Sequence, residues 1–392
     1  MKNKIELEEI ISFVHAALPE TAPLIKAVGD NPETGYKEEK ACLWQTQYLE
    51  KIGFAVEKNA ADIATAFKGK YAAVSENNSV NVALLTEYDA LQPPLGHACG
   101  HQLIMGAGLL ALNAVRNIME KYQIPGTLQA IGCPAEEQLG GKVYMIRKGV
   151  FNDADIALLS HPFFRNGVSR NILAVTHGEL EFFGKSAHAS TNPDQGINAL
   201  DAMTIFMNGI NAWRQQLPKT SRVHGIITNG GTAANVIPDY TAGVFYVRSD
   251  NNEFQKFMEK RFEEIAQGAA LIAGCQYKMH WHDAAYTAGK PNSVLAAKAE
   301  ELMLGMNLKT DLVIEEPLST DFANVCDCVP GLNIYFDVTD GEPLALHSIP
   351  FREAAADEKA LASTVNAATV LAKIALDYLT DENFRKQVNA AG

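Results

Sequence analysis

GHACGHQ, residues 96–102, places two histidines and a cysteine within seven positions. Further along, GCPAEE sets adjacent carboxylates at Glu136 and Glu137, LLSHP presents His161 before a proline, and LALHSIPF offers His347. Thiolate sulfur, imidazole nitrogen and carboxylate oxygen together suit zinc, or a mixed site for zinc or manganese. The chemistry such a centre supports is hydrolysis. A cation polarises a carbonyl and lowers the pKa of a water to about 7, while a general base that is not a ligand takes the proton. Adjacent glutamates can divide the work, one holding metal and the other carrying the proton to a leaving amine.

Two other chemistries compete for the same stretch. A structural zinc knuckle wants a second CxxC or HxxxH pair close by, whereas Cys326 and Cys328 supply only CxC. A cysteine nucleophile needs a base and an oxyanion hole, and it leaves Glu136, Glu137, His161 and His347 without a role. The metal reading employs all of them. His97 reads as support for its loop. His280 and His282 form an HxH pair with no third ligand near in sequence, and Glu315–Glu316 reads as a solvated loop. A disulfide within CxC is sterically awkward, so Cys326 and Cys328 read as thiols.

These residues need elements to position them. Residues 5–17, 36–52 and 103–121 have helical apolar spacing; 79–91, 127–133 and 155–160 read as strands, the first ending in an acidic edge. The alternation predicts a mostly parallel sheet with helices on both faces. Three of the chemical motifs then fall at the carboxyl ends of parallel strands, where open α/β sheets bind ligands. From residue 173 the pattern changes to β-α-β-β-α-β, a ferredoxin-like unit. The expected organisation is a catalytic domain over 1–172, an inserted lid over 173–288, and the catalytic domain resumed over 289–392.

The bulk composition narrows the classes. Of 392 residues, 47% are hydrophobic, enough for a large core, and the net charge of −13 argues against a nucleic-acid partner. No uninterrupted apolar run reaches about 18 residues, so no membrane span is expected. MKNKIELEEI lacks the apolar stretch of a signal peptide, which leaves the cytoplasm and six reduced cysteines as the expectation.

HACGH, PAEE, a strand ending in His-Pro, and a late LHS together resemble metallopeptidase family M20, with its aminoacylases and carnosinases. The branch resembled is that of the B-type p-aminobenzoyl-glutamate hydrolases. NPETGYKEEKA, EYDAL, GKSAHAS, NGGTAANVIPDYTA and STDFANVCDCVP fit as well, so the resemblance covers nearly the whole chain. It implies a zinc-peptidase-like α/β catalytic domain with a ferredoxin-like lid and dimerisation domain. Two divalent metal ions per chain are implied, bridged by Cys99 and completed by His101, Glu137, His161 and His347. Glu136 is implied as general base, Asp89 as the aspartate orienting a ligand histidine, and His188 as the lid histidine that stabilises the oxyanion. Asn235 and Arg248 are implied to hold the substrate. The expected enzyme is a metal-dependent amide hydrolase of small N-acyl amino acids or dipeptide-like molecules with a free carboxylate. A homodimer through the lid is implied, with a higher oligomer open. Gln102, Ala323, Cys326 and Asp327 depart from the pattern, which leaves substrate choice open. The alternatives are a peptidase of longer peptides, an amidohydrolase of an unusual aromatic amide, a cysteine-nucleophile hydrolase, and a non-catalytic binding protein on the same fold.

Overall fold

The computed structural model describes residues 5–74, 80–137, 140–169, 171–311 and 318–391; Glu315–Glu316 lies outside them. The chain divides into two compact units, the second made of Asn171–Gly289 and a short segment around Ser319, the first of the chain on either side. Strands β1 (Ala55–Lys58), β2 (Phe67–Tyr71), β3 (Asn81–Glu87), β4 (Thr127–Cys133), β5 (Ile156–Phe163) and β6 (Gly167–Val168) precede the four strands of the second unit. Those are β7 (Ala174–Phe183), β8 (Arg222–Asn229), β9 (Tyr240–Ser249) and β10 (Gln276–Trp281), and β11 (Gly331–Asp337) returns to the first unit.

The first unit's sheet has the order β1-β2-β4-β3-β5-β11-β6. Its four middle strands, β4, β3, β5 and β11, are parallel, and β1, β2 and β6 add antiparallel edges. Both faces are covered, which explains why β3 reads NVALLTE rather than as alternating polar and apolar. Val82 and Leu84 join one core cluster, with residues of the helices Leu7–Asp30, His101–Tyr122 and Glu358–Thr380. Ala83 and Leu85 join another, with Met145, Phe322 and Val325 from two short helices.

One expectation is corrected here. The first helix continues past residue 17 to Asp30, through Pro19 and Pro23. Interior prolines cost backbone bonds, but the buried stripe Ile10, Val14, Ala17, Thr21, Ile25 and Val28 runs unbroken across them, so tertiary burial overrides the local breaker. His101–Tyr122 and Glu358–Thr380 have the length and mean apolarity of membrane spans although neither is an uninterrupted apolar run; most of each lies buried inside the protein, as in core helices.

In the second unit the antiparallel order β10-β7-β9-β8 is that of a ferredoxin-like β-α-β-β-α-β unit. On β9, Phe245 and Val247 point into a core built with the helices Ala199–Arg214 and Asn252–Ala273, while Tyr246 and Arg248 face outward.

Candidate metal centre

The carboxyl ends of β3, β4 and β5 deliver the chemistry. After β3 comes Asp89, fully buried, then a loop to Cys99 and Gly100. Gly100 has φ +74°, and a Cβ there would sit 2.6 Å from Pro162 Cγ, so only glycine lets the chain turn this tightly against β5 and start the next helix at His101. After β4, Ala135 takes φ +58° and donates its N–H to Glu38 Oε1 at 2.8 Å, which aims the Glu136–Glu137 pair. His161 closes in from β5. His347, at φ +61°, is fastened to the cysteine loop by its N–H on the Ala98 carbonyl at 3.0 Å.

Donor atoms converge in three sets. Sγ of Cys99 with nitrogens of His101 and His161 makes one, Sγ of Cys99 with Glu137 and His347 another, and His101 with Glu136 and Glu137 the third. Cys99 belongs to the first two. Sγ lies 3.4 Å from His161 Nε2, and His347 Nε2 lies 3.1 Å from Glu137 Oε1. His161 Nδ1 donates to the Pro162 carbonyl at 2.7 Å, which leaves the Nε2 lone pair facing the sulfur. Burial, then the charge of His101, pushes His161 down to about 4, so it is a neutral imidazole. His101 is oriented by a carboxylate instead: Nδ1 donates to Asp89 Oδ1 at 2.9 Å, and against the effect of burial Asp89 raises the ring well above its ordinary value, while the other Asp89 oxygen accepts the Glu137 N–H at 2.9 Å. One carboxylate thus orients two of the converging residues.

The convergence is a fit test for cations. His101 Nε2 is fully buried with no hydrogen-bond partner, and carboxylate oxygens of Glu137, Glu136 and Glu87 stand 3.8, 3.9 and 4.0 Å from it. Such spacing is too long for hydrogen bonds and right for donors around an ion. Buried anions gathered this closely need compensating cations. Burial, then the charge of Glu137, pushes the Cys99 thiol well above its ordinary value. A nucleophilic cysteine needs the reverse shift, so the cysteine-nucleophile reading loses its support, and a thiolate here requires a cation beside it. Glu136 is buried in the cluster; it shares a donor set with His101 and Glu137 and belongs to neither set that contains Cys99. Burial, then the charges of Glu87 and Glu137, raises its carboxyl well above the usual range.

A buried ion cluster beneath the centre is absent from the sequence-based expectations. Lys142 Nζ lies 2.6 Å from Glu87 Oε1 and 2.6 Å from Asp321 Oδ1, and its N–H donates to Asp321 Oδ2 at 2.9 Å. A lysine after a Gly-Gly pair, at the start of a helix whose next residues are Val143, Tyr144, Met145 and Ile146, is the available signal; its partners are remote in sequence. Gln102 donates to the Ala355 carbonyl at 3.1 Å. Ala323 is buried in the core, Cys326 packs against it and Asp327 is exposed; none of the four is in the donor sets.

The remaining candidates lie in the second unit. His188 is exposed, and its Nδ1 accepts N–H bonds from Ser190 and Thr191 at 3.3 and 3.2 Å, so a neutral ring carries its proton outward on Nε2. Asn235 stands beside it, its carbonyl accepting the Ala189 N–H at 3.0 Å. Arg248 binds Ser319 Oγ at 2.8 Å. His282 stacks on His177 with ring centroids 4.5 Å apart, and among the described residues no third donor completes a metal set with His280 and His282.

A seven-stranded α/β sheet with a cysteine-bridged double donor set at its carboxyl edge, joined to a ferredoxin-like unit, defines a metal-dependent hydrolase. Residues 174–272 match the peptidase dimerisation domain of family M20. The chain is 35% identical to the Xaa-Arg dipeptidase of Mus musculus over 91% of its own length and 85% of that protein's. It is 33% identical to the B-type component of the p-aminobenzoyl-glutamate hydrolase of Escherichia coli, over 74% of this chain and 64% of that one. A dinuclear metal-binding peptidase of the M20 family from Bacillus subtilis shares the fold, with a TM-score of 0.65 at 19% identity, covering 91% of this chain and 98% of that one. The chain belongs to metallopeptidase family M20.

Proposed function

We propose that the protein hydrolyses the amide bond of a small N-acyl amino acid or dipeptide-like substrate carrying a free carboxylate. The observation that carries this is the pair of donor sets sharing Cys99. Cys99, His101 and His161 would hold one divalent ion and Cys99, Glu137 and His347 the other, zinc or manganese. When bound, the ions supply Lewis acidity to the scissile carbonyl and to the attacking water. Glu136, whose donor set with His101 and Glu137 lacks Cys99, would take the proton of that water and return it to the leaving amine. Asp89 keeps His101 in the right tautomer. The relatives' names, a dipeptidase and a p-aminobenzoyl-glutamate hydrolase, support the substrate class.

His188 as oxyanion donor and Asn235 and Arg248 as substrate-holding groups rest on the family resemblance. So does a homodimer through the second unit, which the dimerisation-domain match supports. Action in the cytoplasm is part of the same proposal, supported by six free thiols. The test is a panel of dipeptides and N-acyl amino acids with metal-reconstituted protein. Turnover is expected for members with a free carboxylate and absent for their amides. Equal turnover of acids and amides, or none of either, would overturn the reading.

A further inference from the structure

A cleft of about 570 Å³ opens on the first unit between the end of the first helix, the loop before Cys99 and the helix Ile349–Ala355. Its volume is in the range of small-molecule sites. Pro32, Pro93 and Pro94 give it apolar walls, and Lys37 and Arg352 line it. Among the described residues neither cation has an ion-pair partner; Arg352 donates only to the Pro94 carbonyl, at 2.8 Å. The acid that also lines the cleft, Glu33, is occupied: its carboxylate accepts N–H bonds from Lys40 and Ala41 at the start of the helix Glu39–Lys51. With Glu33 counted against Lys37 and Arg352, the lining carries one net positive charge.

His97 also lines it. The ring is only 3% exposed and both its nitrogens are covered, with the Val28 backbone as its polar neighbour. Burial pushes it down to about 4, so a neutral ring forms part of the cleft floor. None of these residues belongs to the metal donor sets.

We propose that this cleft is a second ligand site, which takes a small organic carboxylate with an apolar body. Lys37 and Arg352 hold the carboxylate, and the prolines take the body against the neutral His97 ring. The walls are continuous with the metal centre. The cleft loop leads directly into Cys99, Ala90 donates its N–H to the Glu33 carbonyl at 2.8 Å, and the helix carrying Arg352 begins two residues after His347. An occupant thus braces two segments that carry metal donors.

The proposal rests on none of the hydrolytic reading, and its test uses no turnover. The full-length, metal-loaded protein is titrated with 4-fluorobenzoate, followed by fluorine NMR and calorimetry. Wild type is expected to bind saturably. Lys37→Met and Arg352→Met should each weaken the binding roughly tenfold or more, the loss of a charged hydrogen bond, and Lys37→Arg should largely keep it with an unchanged Tm. Isotherms identical in wild type and both methionine variants, or no saturable binding in wild type, would show a cleft filled by solvent alone and overturn the proposal.

Discussion

The protein carries histidines in two clusters, and among the described residues only one of them gathers a set of metal-ligating donors. At the edge of the first unit's sheet, His101, His161 and His347 meet a thiol and carboxylates, with ring nitrogens left facing the cluster. On the outward face of the second unit's sheet, His282, His177, Tyr246 and His224 lie ring on ring, with centroids 4.5, 5.0 and 5.5 Å apart. There the imidazoles serve as planar surfaces, and the charged neighbour is Arg248 above Tyr246, a cation. What separates the clusters is the partner set: anionic donors around an orphaned nitrogen make a metal site, and stacked rings beside an arginine do not.

The largest effect that could break this comparison is on turnover. Glu136→Gln should lower kcat by about 10²–10⁴ while metal content stays at the wild-type value; assays beside metal analysis read both. Normal turnover in that variant would remove Glu136 as the base. Next comes the ion cluster beneath the centre. Lys142→Met leaves two buried carboxylates unpaired and should cost about 3–5 kcal/mol in denaturant unfolding. A loss under about 1 kcal/mol would mean the cluster relaxes with little penalty.

Chelation should abolish activity and lower Tm, both restored by zinc or manganese. At a thousandfold excess over Kd, a bound ion is worth about 4 kcal/mol. Activity that survived complete removal of metal would contradict the centre. In the second unit the same treatment should change nothing in the stacked rings, and His282→Phe should leave metal content as it was. The smallest effect is on pH. Burial, then the charges of His282 and Arg248, pushes His177 down to about 4. Its folded pKa lies below the unfolded value of about 6.5, so the unfolded state binds the proton first. Stability is complete above about 6.5 and is lost as pH falls from there towards 4. His177→Phe should flatten the fall of Tm in that window, and an unchanged slope would remove His177 as its source.

Cys99, His101, Glu137 and His161 are legible in the sequence because GHACGH, GCPAEE and LLSHP follow strand-like runs, which are visible without coordinates; His347, ten residues past β11, has no such signal and is legible only through the LHS of the resemblance. The ferredoxin-like unit is legible because that order of strands and helices is distinctive. The triad of Lys142, Glu87 and Asp321 is not: charges that pair across the fold leave no local period. His97 reads as loop support, and nothing in GHACGHQ tells which imidazole has its nitrogens satisfied. The helix through Pro19 and Pro23 reads too short because a breaker is a local signal, whereas the packing that overrides it is not.

The central claim is that Cys99 joins two ion sites. Metal content per chain, measured on protein purified without chelator or immobilised nickel and compared with Cys99→Ala, tests it most directly. The account predicts two ions in wild type and the loss of both in the variant, since each set gives up a donor. A wild type holding one ion or none when zinc and manganese are supplied, or a variant that keeps both, would contradict it.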